Sequence, residues 1–273
     1  MVDVNGDGLV DFVRASQASG GTKKVYINKG DGTGWAEDTN WDIPLFFIDS
    51  LGENYGVRFA DVNGDGLVDI LRNDPKSGGG NMVYLNDNDG TGWTLDSSWS
   101  VPHAFVDNNG LDVATRIADV NGDGLADILN FKTGASKYVN INNGKRADLL
   151  TKIIHSEGGR TIVSYKPGQQ YVSGNTALNP HLPFAIYTVE TIGKHDGITA
   201  PTSTMTYEYR GGDFYYGFEF DKRFSGFGTT TITNAAGNYT RTYFHQGNDT
   251  DSAKGEYADD FSKIGKPYRV EQY

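Results

Sequence analysis

The nine-residue motif DVNGDGLxD occurs three times, opening at Asp3, Asp61 and Asp119, and each copy begins 58 residues after the one before. A unit that recurs at this spacing must bury its apolar side against its neighbours, so the repeat points to propeller blades or a related array. The register extends past the loops. Val25-Tyr26-Ile27-Asn28 returns as Val83-Tyr84-Leu85-Asn86, Gly34-Trp35 as Gly92-Trp93, Trp41 as Trp99 and Pro44 as Pro102. Two whole units and part of a third are present. The third loses its tryptophans after Val139-Asn140-Ile141-Asn142-Asn143-Gly144.

Each loop is written in the chemistry of a hard cation. In the first copy Asp3, Asn5, Asp7 and Asp11 place side-chain oxygens at positions 1, 3, 5 and 9, and Leu9 offers its carbonyl at position 7. Gly8, at position 6, allows the sharp turn that wraps backbone around an ion. Asp61, Asn63, Asp65, Leu67 and Asp69 repeat the set, as do Asp119, Asn121, Asp123, Leu125 and Asp127. Six to eight oxygens at flexible geometry suit calcium, whereas magnesium demands a stricter octahedron. An EF-hand is excluded: position 12 holds Arg14, Arg72 or Asn130 instead of a bidentate Glu, and short apolar runs follow each loop where a helix is required. Ion-free Asx-rich hairpin turns are the plainer alternative, but three identical ligand patterns favour the metal. The expected role is structural, with affinity of about 10⁻⁴–10⁻³ M as in extracellular modules.

The rest of the chain reads as strand. Aromatics reach 12% and glycines number 36, and no stretch carries the 3.6-residue apolar period of an amphipathic helix. The fold class expected is all-β. Of 35 acidic residues nine lie in the loops; without them the net charge of -11 becomes -2. The acidity is therefore mostly a ligand inventory, and no basic face is offered to nucleic acid. The chain has no cysteine, hence neither disulfides nor thiolate metal sites. No apolar run approaches the roughly 20 residues of a membrane span. Met1 stands two residues before the first loop with no signal peptide, and Pro267–Tyr273 reads as a strand cut midway, so a piece of a longer protein is expected.

In the second half Thr161–Lys166, Phe184–Ile192, Ser203–Arg210, Thr229–Thr233 and Tyr239–His245 carry strand composition, with Gly211-Gly212, Gly226, Gly228 and Gly237-Asn238 as turns between them. No catalytic constellation emerges. His103, His155, His181, His195 and His245 are scattered, and there is no nucleophile elbow or P-loop. His245 reads as a structural residue of its strand. Glu256 and Asp259-Asp260 sit in a polar stretch where solvation is the expectation. Trp35, Trp41, Trp93 and Trp99 could stack a sugar, but aromatics at a fixed repeat phase more simply fill the same packing slot in each unit.

The loops followed by VY[IL]N resemble the FG-GAP and VCBS repeats of integrin-type β-propellers over roughly residues 1–145. The second half narrows the resemblance. Asn143-Gly144-Lys145-Arg146-Ala147-Asp148-Leu149-Leu150 leads to Thr161-Ile162-Val163-Ser164-Tyr165-Lys166-Pro167. Phe224-Ser225-Gly226-Phe227-Gly228, Thr242-Tyr243-Phe244-His245-Gln246 and Gly265-Lys266-Pro267-Tyr268-Arg269-Val270 follow. This order is similar to the SpvB/TcdB-type proteins, the Rhs-related B component of bacterial insecticidal toxin complexes. That resemblance implies incomplete propeller blades with calcium loops over 1–145 and an incomplete β-sheet region of an Rhs-like shell over 146–273. It implies a secreted, non-catalytic virulence carrier. Its partners would be a pore-forming toxin-complex component, to which the propeller docks, and a toxic C-terminal segment, which the shell encloses. The alternative class is a calcium-dependent adhesin or carbohydrate-binding propeller.

Overall fold

A computed structural model describes residues 1–76, 80–146, 149–198, 203–216, 222–247, 254–256 and 259–273. The described residues form strands, short 3₁₀ turns and loops, with no α-helix among them. Two compact units are present, one of Met1–Val120 with Leu125–Asp148 and one of Asn121–Gly124 with Leu149–Tyr273.

The first unit holds three small antiparallel sheets, one for each repeat. The first comprises β1 (Phe12–Ser16), β2 (Thr22–Asn28) and β3 (Trp35–Asp38). The second is a four-stranded meander of β4 (Val57–Ala60), β5 (Asp69–Arg72), β6 (Met82–Asn86) and β7 (Trp93–Leu95). The third comprises β8 (Thr115–Ala118), β9 (Asp127–Asn130) and β10 (Tyr138–Asn140). The sheets are open. In every repeat the metal-type loop links the outer strand to the next: Ala60 pairs with Asp69, Ala118 with Asp127, and Val2 bridges Asp11 in the first copy. Each loop is therefore a hairpin connection whose ends are already fixed by ladder hydrogen bonds.

The apolar residues of β1, β2 and β5 pack between the first two sheets, where Val4, Val25, Ile43 and Ile70 are buried. Val62, Leu71, Val83, Phe105 and Ile128 fill the corresponding space between the second and third. Trp41 and Trp93 belong to the first of these cores, with ring centroids 5.0 Å apart. Packing is thus the role of these two indoles.

In the second unit one seven-stranded antiparallel sheet takes the order β11-β12-β15-β16-β17-β18-β19, and a two-stranded ribbon, β13 (Val172–Ser173) with β14 (Thr176–Ala177), stands apart from it. The strands of the large sheet are β11 (Lys152–Ile154), β12 (Arg160–Pro167), β15 (Tyr187–His195), β16 (Ser203–Tyr216), β17 (Lys222–Thr233), β18 (Tyr239–Phe244) and β19 (Pro267–Gln272). Gly237-Asn238 forms the hairpin turn expected of it, Asn234 N–H and Asn238 C=O closing it at 2.9 Å.

The other turn glycines are a correction. Gly211-Gly212 lies inside β16, and Gly226 and Gly228 lie inside β17. The ladder shifts register between Gly212 and Phe214, the signature of a bulge. Space is the reason for glycine at two of these sites. A Cβ on Gly212 would come within 2.9 Å of the Leu182 side chain, and one on Gly228 within 2.7 Å of Gln246 Oε1. Side chains lie across the strands where their glycines leave room. Of the junction motif, Ala147-Asp148 lies outside the described residues.

Candidate metal loops

The local code of the loops is Asx chemistry. Asp3 accepts the Gly6 N–H on one carboxylate oxygen and the Gly8 N–H on the other, each at 2.8 Å. Asn5 Oδ1 accepts the Asp7 N–H at 3.2 Å, and Asp7 Oδ1 accepts the Leu9 N–H at 2.8 Å. Asp61, Asn63 and Asp65 repeat these bonds at 2.6–3.0 Å. In the third loop Asp123 N–H donates to Asn121 Oδ1 at 2.9 Å. Gly8 takes φ of +83°, the left-handed turn assigned to it. In the first two loops the side chains at positions 1, 3 and 5 are thereby bonded into the backbone of their own turn.

The ninth position does something the motif alone does not declare. Asp11, Asp69 and Asp127 are 0% exposed. One oxygen of each accepts the N–H of loop position 2: Val4 at 3.0 Å, Val62 at 2.9 Å, Val120 at 2.9 Å. The other accepts the N–H of the asparagine that ends the V-x-[IL]-N segment: Asn28 at 2.8 Å, Asn86 at 2.9 Å, Asn142 at 2.7 Å. This carboxylate pins the loop to the end of β2 in the first sheet, to the end of β6 in the second and to the residues just after β10 in the third. Burial pushes the Asp69 carboxyl up to about 6, against the two amide bonds that hold it down; nearby Asp65 and Asp61 push it the same way as burial.

Donor chemistry fits a hard cation, because every candidate ligand is an oxygen and each amide-bonded oxygen keeps a second lone pair. The carboxylates of Asp3, Asp7 and Asp11, like their equivalents, do not bring three oxygens within 4.8 Å of one another. The inward turn of the ninth side chain accounts for this.

The loops also hold one another. Asn86 Nδ2 donates to Val4 C=O of the preceding loop at 2.9 Å, and Asn142 Nδ2 to Val62 C=O at 2.8 Å. The indole N–H groups of Trp35 and Trp93 donate to the position-8 carbonyls Val10 and Val68, at 2.8 and 2.7 Å. Sequence reading missed these Asn and Trp contacts as part of the loop array. Their fixed phase relative to the motif was the available signal.

The other acids expected to be solvated divide. Asp260 lies at the surface and caps a short 3₁₀ turn through the Ser262 N–H. The Glu256 and Asp259 side chains, by contrast, are buried beside His245.

Comparison with known proteins gives a consistent pattern. The model of the insecticide toxin TcdB middle/N-terminal region matches residues 101–250, more than half of the chain. The FG-GAP-like repeat model matches residues 3–72 and 61–129. No curated protein matches. Among solved structures, the crystal structure of TcdB2-TccC3-TEV superposes with a TM-score of 0.66 at 21% identity, covering 94% of this chain and 12% of that one. TcdB2-TccC3 superposes with a TM-score of 0.65 at 22% identity, covering 94% and 13%. At these identities the likeness is one of fold. The chain spans about an eighth of the length of those solved chains.

Proposed function

The chain belongs to the insecticide toxin TcdB middle/N-terminal family, and from that premise we propose that it is the propeller-to-shell junction of a secreted toxin-complex carrier, acting as scaffold and not as enzyme. Residues 1–145 are the incomplete propeller and 146–273 the incomplete shell region. In the whole protein the propeller docks onto a pore-forming component and the shell encloses a toxic C-terminal segment. The observation that carries this reading is the meeting, within one chain, of FG-GAP-like repeats at 3–129 with the TcdB region at 101–250. A wide sheet that exposes much of its apolar surface, including Ile154, Met205, Ile232 and Val270, suits a wall better than a compact catalytic domain.

Sequencing the DNA on both sides of this reading frame tests the proposal. In-frame DVNGDG repeats upstream and an Rhs-type array downstream support it, whereas stop codons bounding the frame would sink it.

Calcium is the ion proposed for the three loops, with Asp3, Asn5, Asp7, the Leu9 carbonyl and Asp11 as the first set and their equivalents in the other two. The ion would neutralise crowded carboxylates and stiffen the hairpins. A carbohydrate-binding propeller is the second reading, and Trp35 favours it: this indole is 48% exposed and lies with Phe12, Arg14 and Tyr26 around an open pocket. Trp93, at the same repeat position, is only 6% exposed.

A further inference from the structure

His245 follows the last residue of β18, and its backbone is held there: the backbone N–H donates to Lys266 C=O at 3.0 Å and the C=O accepts the Gly265 N–H at 2.9 Å. The strand end is thus tied to the segment that leads into β19. Asp259 Oδ2 accepts the N–H groups of Gln246 and Gly247 at 3.0 and 2.8 Å, which fixes the carboxylate and turns Oδ1 toward the imidazole. Oδ1 stands 3.2 Å from His245 Nδ1, and Glu256 Oε1 stands 3.8 Å from the same nitrogen. The three side chains are 10%, 0% and 3% exposed for His245, Asp259 and Glu256. Among the described residues this is the one set of three His, Asp or Glu whose ligand atoms lie within 4.8 Å of one another.

Two buried carboxylates thus face one imidazole nitrogen. An imidazolium hydrogen bond would be the simple answer, yet His245 Nδ1 makes no hydrogen bond with any described residue despite its distance from Asp259. A shared cation would engage this nitrogen and both carboxylates at once. Ligands at about 2.1 Å from a metal are separated by about 3.0–3.4 Å along the edges of an octahedron or tetrahedron. The 3.2 Å separation falls within that range and 3.8 Å lies just beyond it. The Asp259 carboxylate already has outer partners that orient it, as metal ligands usually do. Glu256 also lines a cavity of about 220 Å³ with Arg210, Gln246 and Tyr268, so solvent can supply a remaining ligand.

We propose that His245, Glu256 and Asp259 form a binding site for a divalent transition-metal ion of the zinc class, which fastens the end of β18 to the segment before β19. One imidazole and two carboxylates suit zinc, cobalt or manganese, whereas calcium takes oxygen ligands. The site is separate in sequence and chemistry from the three acidic loops, and it does not rest on the toxin-carrier reading.

The test is cobalt(II) and zinc titration of the chelator-stripped full chain in about 10 mM calcium, which fills oxygen sites of that affinity without competing for imidazole. One equivalent should bind, cobalt giving visible ligand-field bands and zinc displacing it. His245→Ala and Glu256→Gln should each weaken binding at least about tenfold, with the far-UV spectrum unchanged in the near-isosteric Glu256→Gln. No saturable binding by a folded wild-type chain would overturn the proposal. So would binding that survives Glu256→Gln undiminished, since the metal would then sit elsewhere.

Discussion

Trp35 and Trp93 occupy the same position in successive repeats, and the structure predicts opposite consequences for removing them. Trp93 is 6% exposed, packs on Trp41 at 5.0 Å and donates its indole N–H to Val68 C=O at 2.7 Å. Truncation to alanine opens a cavity between the first two sheets. Buried tryptophans truncated this way cost about 3–5 kcal/mol, here including loss of the shorter of the two bonds to the Val68 carbonyl, which keeps only the 3.4 Å contact from Asn86 Nδ2. Trp35 has the equivalent bond to Val10 but is 48% exposed, so water replaces much of what is lost. Its truncation should cost roughly 1 kcal/mol. In a unit of this size about 4 kcal/mol lowers the melting temperature by roughly 10 °C, and 1 kcal/mol by roughly 3 °C. Thermal melts of Trp35→Ala and Trp93→Ala in calcium, followed by circular dichroism, measure the difference. Equal shifts would refute the assignment of Trp93 to the core. Glycan binding by the wild type that disappears in Trp35→Ala, with little change in melting, would move the function to the carbohydrate reading.

Chelation should lower the melting temperature of the wild-type chain and millimolar calcium should restore it; no change would remove calcium from the loops. In chelator, Asp69 contributes a pH dependence of definite sign. Its folded carboxyl lies at about 6 and its ordinary value is 3.8, so its contribution is full below about pH 4 and is lost as pH rises through 6, roughly 3 kcal/mol in all. Denaturant titrations at pH 5 and 7 should show this loss shrinking when calcium is added and flattening in Asp69→Asn. Asn86→Ala leaves the buried Val4 carbonyl unpaired and should cost about 1–3 kcal/mol, while Asn28→Ala, whose amide meets only the exposed Val10 carbonyl, should cost well under half of that by the same measurement. Gly228→Ala places a methyl within 2.7 Å of Gln246 Oε1. It should displace the amide that bridges Gly211 and Gly226 at 2.6 and 3.0 Å, destabilising by about 1–3 kcal/mol.

Much of the first half was legible because its information is local and repeated. Position-by-position identity across Asp3, Asp61 and Asp119 makes the loops visible, and the apolar runs after them announce strands. Asp11 shows the limit of that kind of reading. Its spacing marks it as a ligand, while its burial and its bond to the Asn28 N–H depend on a partner 17 residues away. A spacing pattern states which atoms can reach an ion. It does not state which backbone donors compete for them.

The second half was harder for a related reason. Gly211, Gly212, Gly226 and Gly228 read as turns because glycine's usual local cause is a turn, whereas here two of them make room for Leu182 and Gln246, which come from distant segments. Glu256 and Asp259 read as solvated because their immediate neighbours are polar. Their burial follows from β18 and β19 pairing, with Thr240 opposite Gln272 and Thr242 opposite Val270, which brings Glu256 and Asp259 back beside His245. Nothing in the local composition encodes that return. Strand pairing has brought two carboxylates out of water against an imidazole, where a metal ion or a protonated ring would each add positive charge. Replacing both acids by their amides separates these two cases. If a metal is the compensating charge, Glu256→Gln with Asp259→Asn abolishes zinc-dependent stabilisation. If protonated His245 is that charge, the double variant changes stability equally with and without zinc.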